Sequence, residues 1–178
     1  MEKKPDYLRR LAPQAYLGRA AVHWIFCVEK RRTGWLTPEA HSLWRECLLH
    51  ACARFHLLCP VYCMMPDHVH LLLLGQSESS DQRAAVAFLR RHTAGLFTGT
   101  EGRWQKQAYD HVLREEERKR GAFRSVAHYI TENPVRKGLV EEARAWIYSG
   151  SMVTGHPNLT WRNENFWERF WAESAESA

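Results

Sequence analysis

The chain contains no apolar run near the roughly 18 residues that a membrane-spanning helix requires. Its first ten residues, Met1 to Arg10, are charged and lack the apolar stretch of a secretory signal. The expectation is therefore a soluble, cytoplasmic protein. Five cysteines are present, an odd number with no C-x-x-C pair, which excludes a disulfide framework and a zinc ribbon. Buried free thiols in a reducing compartment are what remains. No internal repeat, long linker or H-E-x-x-H pattern occurs either, so solenoids and the common metalloprotease helix are set aside.

What is present is an ordinary globular balance. The 178 residues are 45% hydrophobic and 25% charged, the size of one domain with a proper core. Lys and Arg number 25 against 20 acidic residues, a net charge of +5 compatible with a nucleic-acid partner. Eight tryptophans supply core or stacking surface.

Residues 1–18 read as a basic N-terminal arm. Ala20 to Val28 is dense in aromatic and β-branched residues and reads as a strand. Thr37 can cap a helix that has Pro38 at its first position and runs to about Phe55. Leu57 to Met64 and His68 to Leu74 flank the turn Met65-Pro66-Asp67, an antiparallel hairpin. Asp81 to Phe97 reads as a second helix and Tyr109 to Arg114 as a fourth strand. A third helix is expected from about Glu116 to Glu132, stopped by Asn133-Pro134, because the residue before proline is pushed out of α geometry. This order predicts an α+β fold, a ferredoxin-like antiparallel sheet with helices packed on one face. The boundaries expected are 1–18 for the arm, 19–148 for the domain and 149–178 for an aromatic-rich tail.

Chemistry concentrates in two places. In His68-Val69-His70 the two imidazoles point to the same face of a strand, about 7 Å apart at Cα, while Val69, Leu71 and Leu73 face the core. Two such ligands can share one ion if a third comes from another element. The pair also fits incidental histidines on a half-exposed strand. The second place is Tyr129, with Asn133 one helical turn further on the same face. A phenol there could attack a phosphate while the Asn133 amide oxygen completes a site for magnesium or manganese. A packed tyrosine and a helix-capping asparagine fit the same residues.

Together, Met65-Pro66-Asp67-His68-Val69-His70-Leu71-Leu72, Trp104-Gln105 with Tyr109-Asp110-His111-Val112-Leu113-Arg114, and Tyr129-Ile130-x-x-Asn133-Pro134-Val135-x-x-Gly138-Leu139-Val140 resemble the HUH single-tyrosine nucleases, and especially the REP-associated tyrosine transposases. The resemblance spans about residues 20–148. It implies a ferredoxin-like sheet with the histidines on a central strand and the tyrosine on a facing helix. It also implies that His68, His70 and Asn133 hold a divalent cation, Mg2+ or Mn2+, and that Tyr129 is the nucleophile. The reaction implied cuts and rejoins single-stranded DNA carrying hairpin repeats through a 5′-phosphotyrosine link. Monomer and homodimer both fit the pattern.

Tyr109, beside Asp110 and His111, is a rival nucleophile, but only Tyr129 has an asparagine four residues on. His111 and His128 are the histidines available as a general base. Arg9, Arg10, Arg90, Arg91, Lys106, Arg136 and Lys137 are the expected DNA contacts, with Arg136 and Lys137 nearest the scissile phosphate; a solvated face is the alternative for each cluster. In the tail, Phe166, Trp167, Phe170 and Trp171 form a helical stripe that either packs on the domain or stacks unpaired bases. Two other readings remain: a DNA-binding module of the same fold without cleavage, and a zinc hydrolase using Cys63, His68 and His70.

Overall fold

The computed structural model describes residues 10–119 and 121–176. The chain runs through β1 (Ala21–Cys27), α1 (Pro38–Arg54), β2 (Leu57–Met65), β3 (His68–Gly75), α2 (Gln82–His92), β4 (Tyr109–Leu113), α3 (Glu115–Lys119), α4 (Ala122–Arg136), β5 (Ser149–Met152) and α5 (Phe166–Glu176). The strands form one sheet in the order β4-β1-β3-β2-β5, with every neighbouring pair antiparallel. The first four strands and two helices are the expected ferredoxin-like arrangement, with the histidine strand β3 at its centre.

The expectation of helices on one face is corrected. Helices α1 and α2 cover the face carrying Val22, Trp24, Phe26, Val69, Leu71 and Leu73. On the opposite face α4 and α5 pack Phe123, Ala127, Ile130, Phe166 and Phe170 over Leu58, Val61, Cys63 and Leu72. The reason is legible in β2, where all nine residues are buried. A strand apolar on both sides must be covered on both sides, and each fully buried large apolar side chain contributes roughly 1.5–3 kcal/mol.

Local chemistry sets several boundaries as expected. Thr37 caps α1, its hydroxyl accepting from the Ala40 amide at 3.1 Å, with Pro38 in the first turn. Asp81 caps α2 by accepting from the Ala84 amide at 2.9 Å. Buried Gln82 is fully used: its carbonyl oxygen accepts from the Trp24 indole, and its amide donates to the backbone of Ala20 and Leu73. Helix α2 ends at His92, and residues 93–97 tighten into a 3-10 turn instead of continuing it.

The third expected helix departs from the reading twice. It is two helices, broken at Gly121, whose φ of +81° lies in the left-handed region. The second of these runs through Pro134 to Arg136. Pro134 withholds an N–H only from the Ile130 carbonyl, and the helix closes within the next turn through Lys137 to Asn133 at 3.1 Å and Leu139 to Pro134 at 2.9 Å. Ile130, Asn133 and Pro134 are all buried, so tertiary packing holds the segment helical.

Residues 149–176 join the same core. β5 pairs with the outer edge of β2, and Phe166 and Phe170 are fully buried against Phe123. Trp146 donates to the Met64 carbonyl at 2.9 Å, and Arg162 donates to the Trp146 carbonyl at 2.7 Å, which ties this segment to the sheet edge. All five cysteines are free and buried, as expected. Among the described residues no helix is long and apolar enough to cross a membrane.

Gly75, at the end of β3, touches the N-terminal segment closely. A Cβ there would stand 1.8 Å from the Gly18 carbonyl oxygen, which is backbone and cannot swing aside. Gly75→Ala is expected to cost about 3 kcal/mol, a fall in Tm of roughly 10 °C for a domain of this size. A thermal melt within about 2 °C of wild type would contradict that close contact.

Candidate active site

The alternation of β3 and its register with β1 assemble a row of imidazoles on one face. Ile25 pairs with His70 and with Tyr109, while His23 pairs with Leu72 and with His111. All of these side chains therefore lie on the face that α4 covers, together with His68. The two ring nitrogens Nε2 of His68 and His70 are 2.9 Å apart. His68 donates through Nδ1 to Asp67 Oδ1 at 2.6 Å, and Asp67 Oδ2 accepts from Arg31 at 3.2 Å. On the far side, His70 Nδ1 meets His23 Nε2 at 3.0 Å.

Helix α4 brings Tyr129 over this row. Its buried side, Phe123, Ala127, Ile130 and Pro134, fixes the helix on the sheet, and Tyr129 and Asn133 project one turn apart toward the histidines. The Tyr129 ring lies 5.7 Å from the His70 ring and 6.1 Å from the His23 ring, edge-on to both. The Arg136 guanidinium stacks over the other side of the phenol, 4.8 Å from its centroid. Asn133 donates its amide N–H to the Tyr129 carbonyl at 2.8 Å, which leaves its amide oxygen as the acceptor in the cleft. His68, His70, Tyr129, Asn133, Arg31, Arg136, Lys137 and Ile25 line one open cleft of about 360 Å3.

Burial keeps the imidazoles neutral. It lowers His70 to about 2, helped by the neighbouring His23 and His68, and lowers His23 to about 4, helped by His111. Burial also lowers His68, although the Asp67 carboxylate pulls the other way. Partial burial raises Asp67, but the hydrogen bond from His68 and the nearby Arg31 outweigh it and leave its carboxyl below the usual value. An amide oxygen is a hard donor that suits manganese or magnesium, and neutral imidazole nitrogens are compatible with manganese. Three cationic side chains around them favour a phosphate in the same cleft.

These shifts fix a pH dependence for the metal-free protein. The unfolded chain protonates its histidines below about pH 6.5, whereas folded His23 and His70 resist until about 4 and about 2. Protons therefore favour unfolding as the pH falls from 6.5, and stability present above 6.5 is lost toward 4. Each imidazole still neutral at pH 5 costs about 2 kcal/mol. In EDTA the urea midpoint should fall clearly between pH 7.5 and pH 5, with a shallower fall in His23→Gln; identical profiles would contradict the burial of these rings.

Of the other expected contacts, Arg136 and Lys137 reach the cleft, and most of the rest serve the fold. Arg10 pairs with Asp110 at 3.2 Å and lies over Trp24, on the opposite face. Arg90 donates to the backbone carbonyls of Gln105 and Lys106, which fastens the loop before β4. Arg91 and Lys106 are exposed but lie outside the cleft, and Arg9 lies outside the described residues. Tyr109 is exposed at the sheet edge, separated from His70 by Ile25. His111 faces Glu117 at 3.6 Å, and His128 lines a separate groove with Trp161 and Trp167. Neither is brought to the phenol.

Two cleft-side residues escaped sequence reasoning. His23 sits alone in an aromatic strand, and only cross-strand register places it beside His70. Arg31 follows Lys30 in a pair of left-handed residues, φ +54° and +56°, that swing its side chain over Asp67. Such a conformation costs roughly 1–2 kcal/mol per residue. It is held by the Glu29 N–H donating to the Arg103 carbonyl at 2.8 Å and by the Glu29–Arg103 ion pair. Cys63, by contrast, pairs with His70 across the hairpin, but burial raises its thiol to about 12. Among the described residues no three His, Cys, Asp or Glu side chains are arranged to hold a metal ion, which argues against the thiolate zinc site.

The family described as "Transposase IS200 like" matches residues 17–125, a span that holds the histidine strand and ends just before Tyr129. A Haemophilus influenzae protein named as a REP-associated tyrosine transposase is 22% identical over 135 residues, 68% of this chain and 74% of the relative. Among solved structures, a REP-associated tyrosine transposase bound to a REP hairpin superposes with a TM-score of 0.66 at 19% identity, covering 81% of each chain.

Proposed function

Because the chain belongs to the IS200-like transposase family, we propose that it is a metal-dependent endonuclease and strand transferase for single-stranded, hairpin-bearing DNA, with Tyr129 as nucleophile. The observation that carries this reading is the cleft in which Tyr129 faces His68, His70 and Asn133 beneath Arg136 and Lys137. The hairpin preference rests on the likeness to a transposase bound to a REP hairpin.

In the proposed reaction the Tyr129 Oη bonds to the scissile phosphorus and the P–O3′ bond breaks. The phenol proton is lost and the departing 3′-oxygen gains one, leaving a 5′-phosphotyrosine and a free 3′-hydroxyl. A second 3′-hydroxyl attacks the phosphotyrosine in reverse, so the bond energy is kept and no nucleotide triphosphate is needed. His68, His70 and Asn133 would hold a Mg2+ or Mn2+ ion, which supplies charge stabilisation at the phosphate. Arg31, Arg136 and Lys137 bind and orient the phosphates around it.

The test is incubation with end-labelled single-stranded hairpin DNA in Mg2+ or Mn2+, with and without EDTA. A cleaved strand and a protein-linked one, both suppressed by EDTA, are the expected products. Binding of the hairpin without cleavage under every condition would replace this reading with a DNA-binding module of the same fold.

A further inference from the structure

Hydrogen-bond direction can be read along the imidazole row. The Asp67 carboxylate only accepts, so His68 carries its proton on Nδ1 and its Nε2 is a bare lone pair. The 2.9 Å contact then makes His70 Nε2 the donor to His68 Nε2. With its proton on Nε2, His70 presents a lone pair at Nδ1, and His23 Nε2 must donate to it across 3.0 Å. Three neutral rings thus point their protons the same way, from the sheet interior toward Asp67.

This arrangement cannot hold when His70 Nε2 becomes a ligand, because a ligating nitrogen carries no proton. The His70 proton must then sit on Nδ1, facing His23. A buried N–H without an acceptor there is costly, and His23 Nε2 is the atom in reach. His23 can accept only if its own proton moves to its other nitrogen. We propose that His23 is a positioning residue for the metal site: it donates to His70 when the site is empty and accepts from it when His70 is a ligand. Imidazole suits the position because one ring serves both roles, and the two rings lie side by side, 27° from parallel with centroids 5.1 Å apart, so the shared hydrogen bond stays near both ring planes through the exchange.

The inference rests on the proposed roles of His68 and His70, and its test separates the two. Protein labelled with 15N-histidine, freed of metal, should show His70 and His23 protonated at Nε2 in long-range proton–nitrogen spectra. Saturation with diamagnetic Mg2+ should move both protons to Nδ1. The affinity for Mn2+ alone, read from the resonance of the free ion, should fall about 10–100-fold in His23→Leu. His23→Gln, whose amide can donate or accept, should recover most of that loss. Metal-free His70 protonated at Nδ1, or a folded His23→Leu protein that binds Mn2+ as tightly as wild type, would overturn the role given to His23. Wild type that binds neither ion would sink the cation reading, and the metal-free tautomers would still decide whether His23 holds His70.

Discussion

Tyr129→Phe is expected to reduce covalent capture of hairpin DNA below about one part in a thousand of wild type, because no other hydroxyl occupies its place. The substitution is a clean one. The ring keeps its edge contacts with His70 and His23 and its stacking with Arg136, and only the oxygen is lost. At 42% exposure the position carries little of the core, so stability should change by less than about 0.5 kcal/mol. Hairpin binding, proposed to draw on Arg31, Arg136 and Lys137, should persist, and the variant should compete with wild type for the same DNA. The measurement is a denaturing gel of labelled DNA in Mn2+, with Tyr109→Phe alongside. Tyr109 lies on the same face but at the sheet edge, beyond Ile25, and its variant should form adduct at the wild-type rate. An adduct that survives Tyr129→Phe and disappears in Tyr109→Phe would move the nucleophile to the sheet edge and refute the cleft as drawn.

Removing either histidine should abolish metal-dependent cleavage, but the two losses should differ in kind. His68 is 8% exposed at the start of β3, with its outer nitrogen on Asp67. His68→Ala should leave the fold close to wild type while Mn2+ affinity falls at least 10-fold. His70 is 2% exposed and bonded on both sides. Its replacement by alanine opens a cavity and strands the His23 donor, adding a stability loss of about 2–4 kcal/mol. Thermal melts with and without Mn2+ resolve the pair. Wild type should melt higher as Mn2+ is raised past its dissociation constant, His68→Ala should show no such rise, and His70→Ala should melt low in both conditions. Retention of Mn2+-stimulated cleavage by His68→Ala would remove this residue from the metal site.

Features set by neighbours in the chain are legible in the sequence, and features set by distant contacts are not. The β2–β3 hairpin was legible because Met65-Pro66-Asp67 is local turn chemistry between two apolar runs. The shared face of His68 and His70 followed from the strand period alone, and that of Tyr129 and Asn133 from the helix period. What escaped depends on contacts distant in the chain. Ser149–Met152 has no β-branched or aromatic residue, and it is a strand because the edge of β2 offers it hydrogen bonds. Helix α4 outlasts Pro134 because Ile130 and Asn133 are buried against the sheet. The charge of Arg10 and Arg90 could be counted, but not that Asp110 and two loop carbonyls already claim it. His23 is the sharpest case: nothing in Val22-His23-Trp24 sets it apart until β1 is laid beside β3.

The five buried thiols have a practical side. Cys52 and Cys59 belong to the layer under α1, and Cys63 to the layer under α4. Burial raises Cys52 and Cys63 to about 12 and Cys59 in the same direction, so the reactive thiolate is scarce as well as screened. Each is therefore a silent reporter that an alkylating reagent reads only when its own layer parts from the sheet. The same silence leaves the surface free for single-site labelling: a cysteine introduced at an exposed position carries a dye or spin label in a chain whose native sulfurs need not be removed.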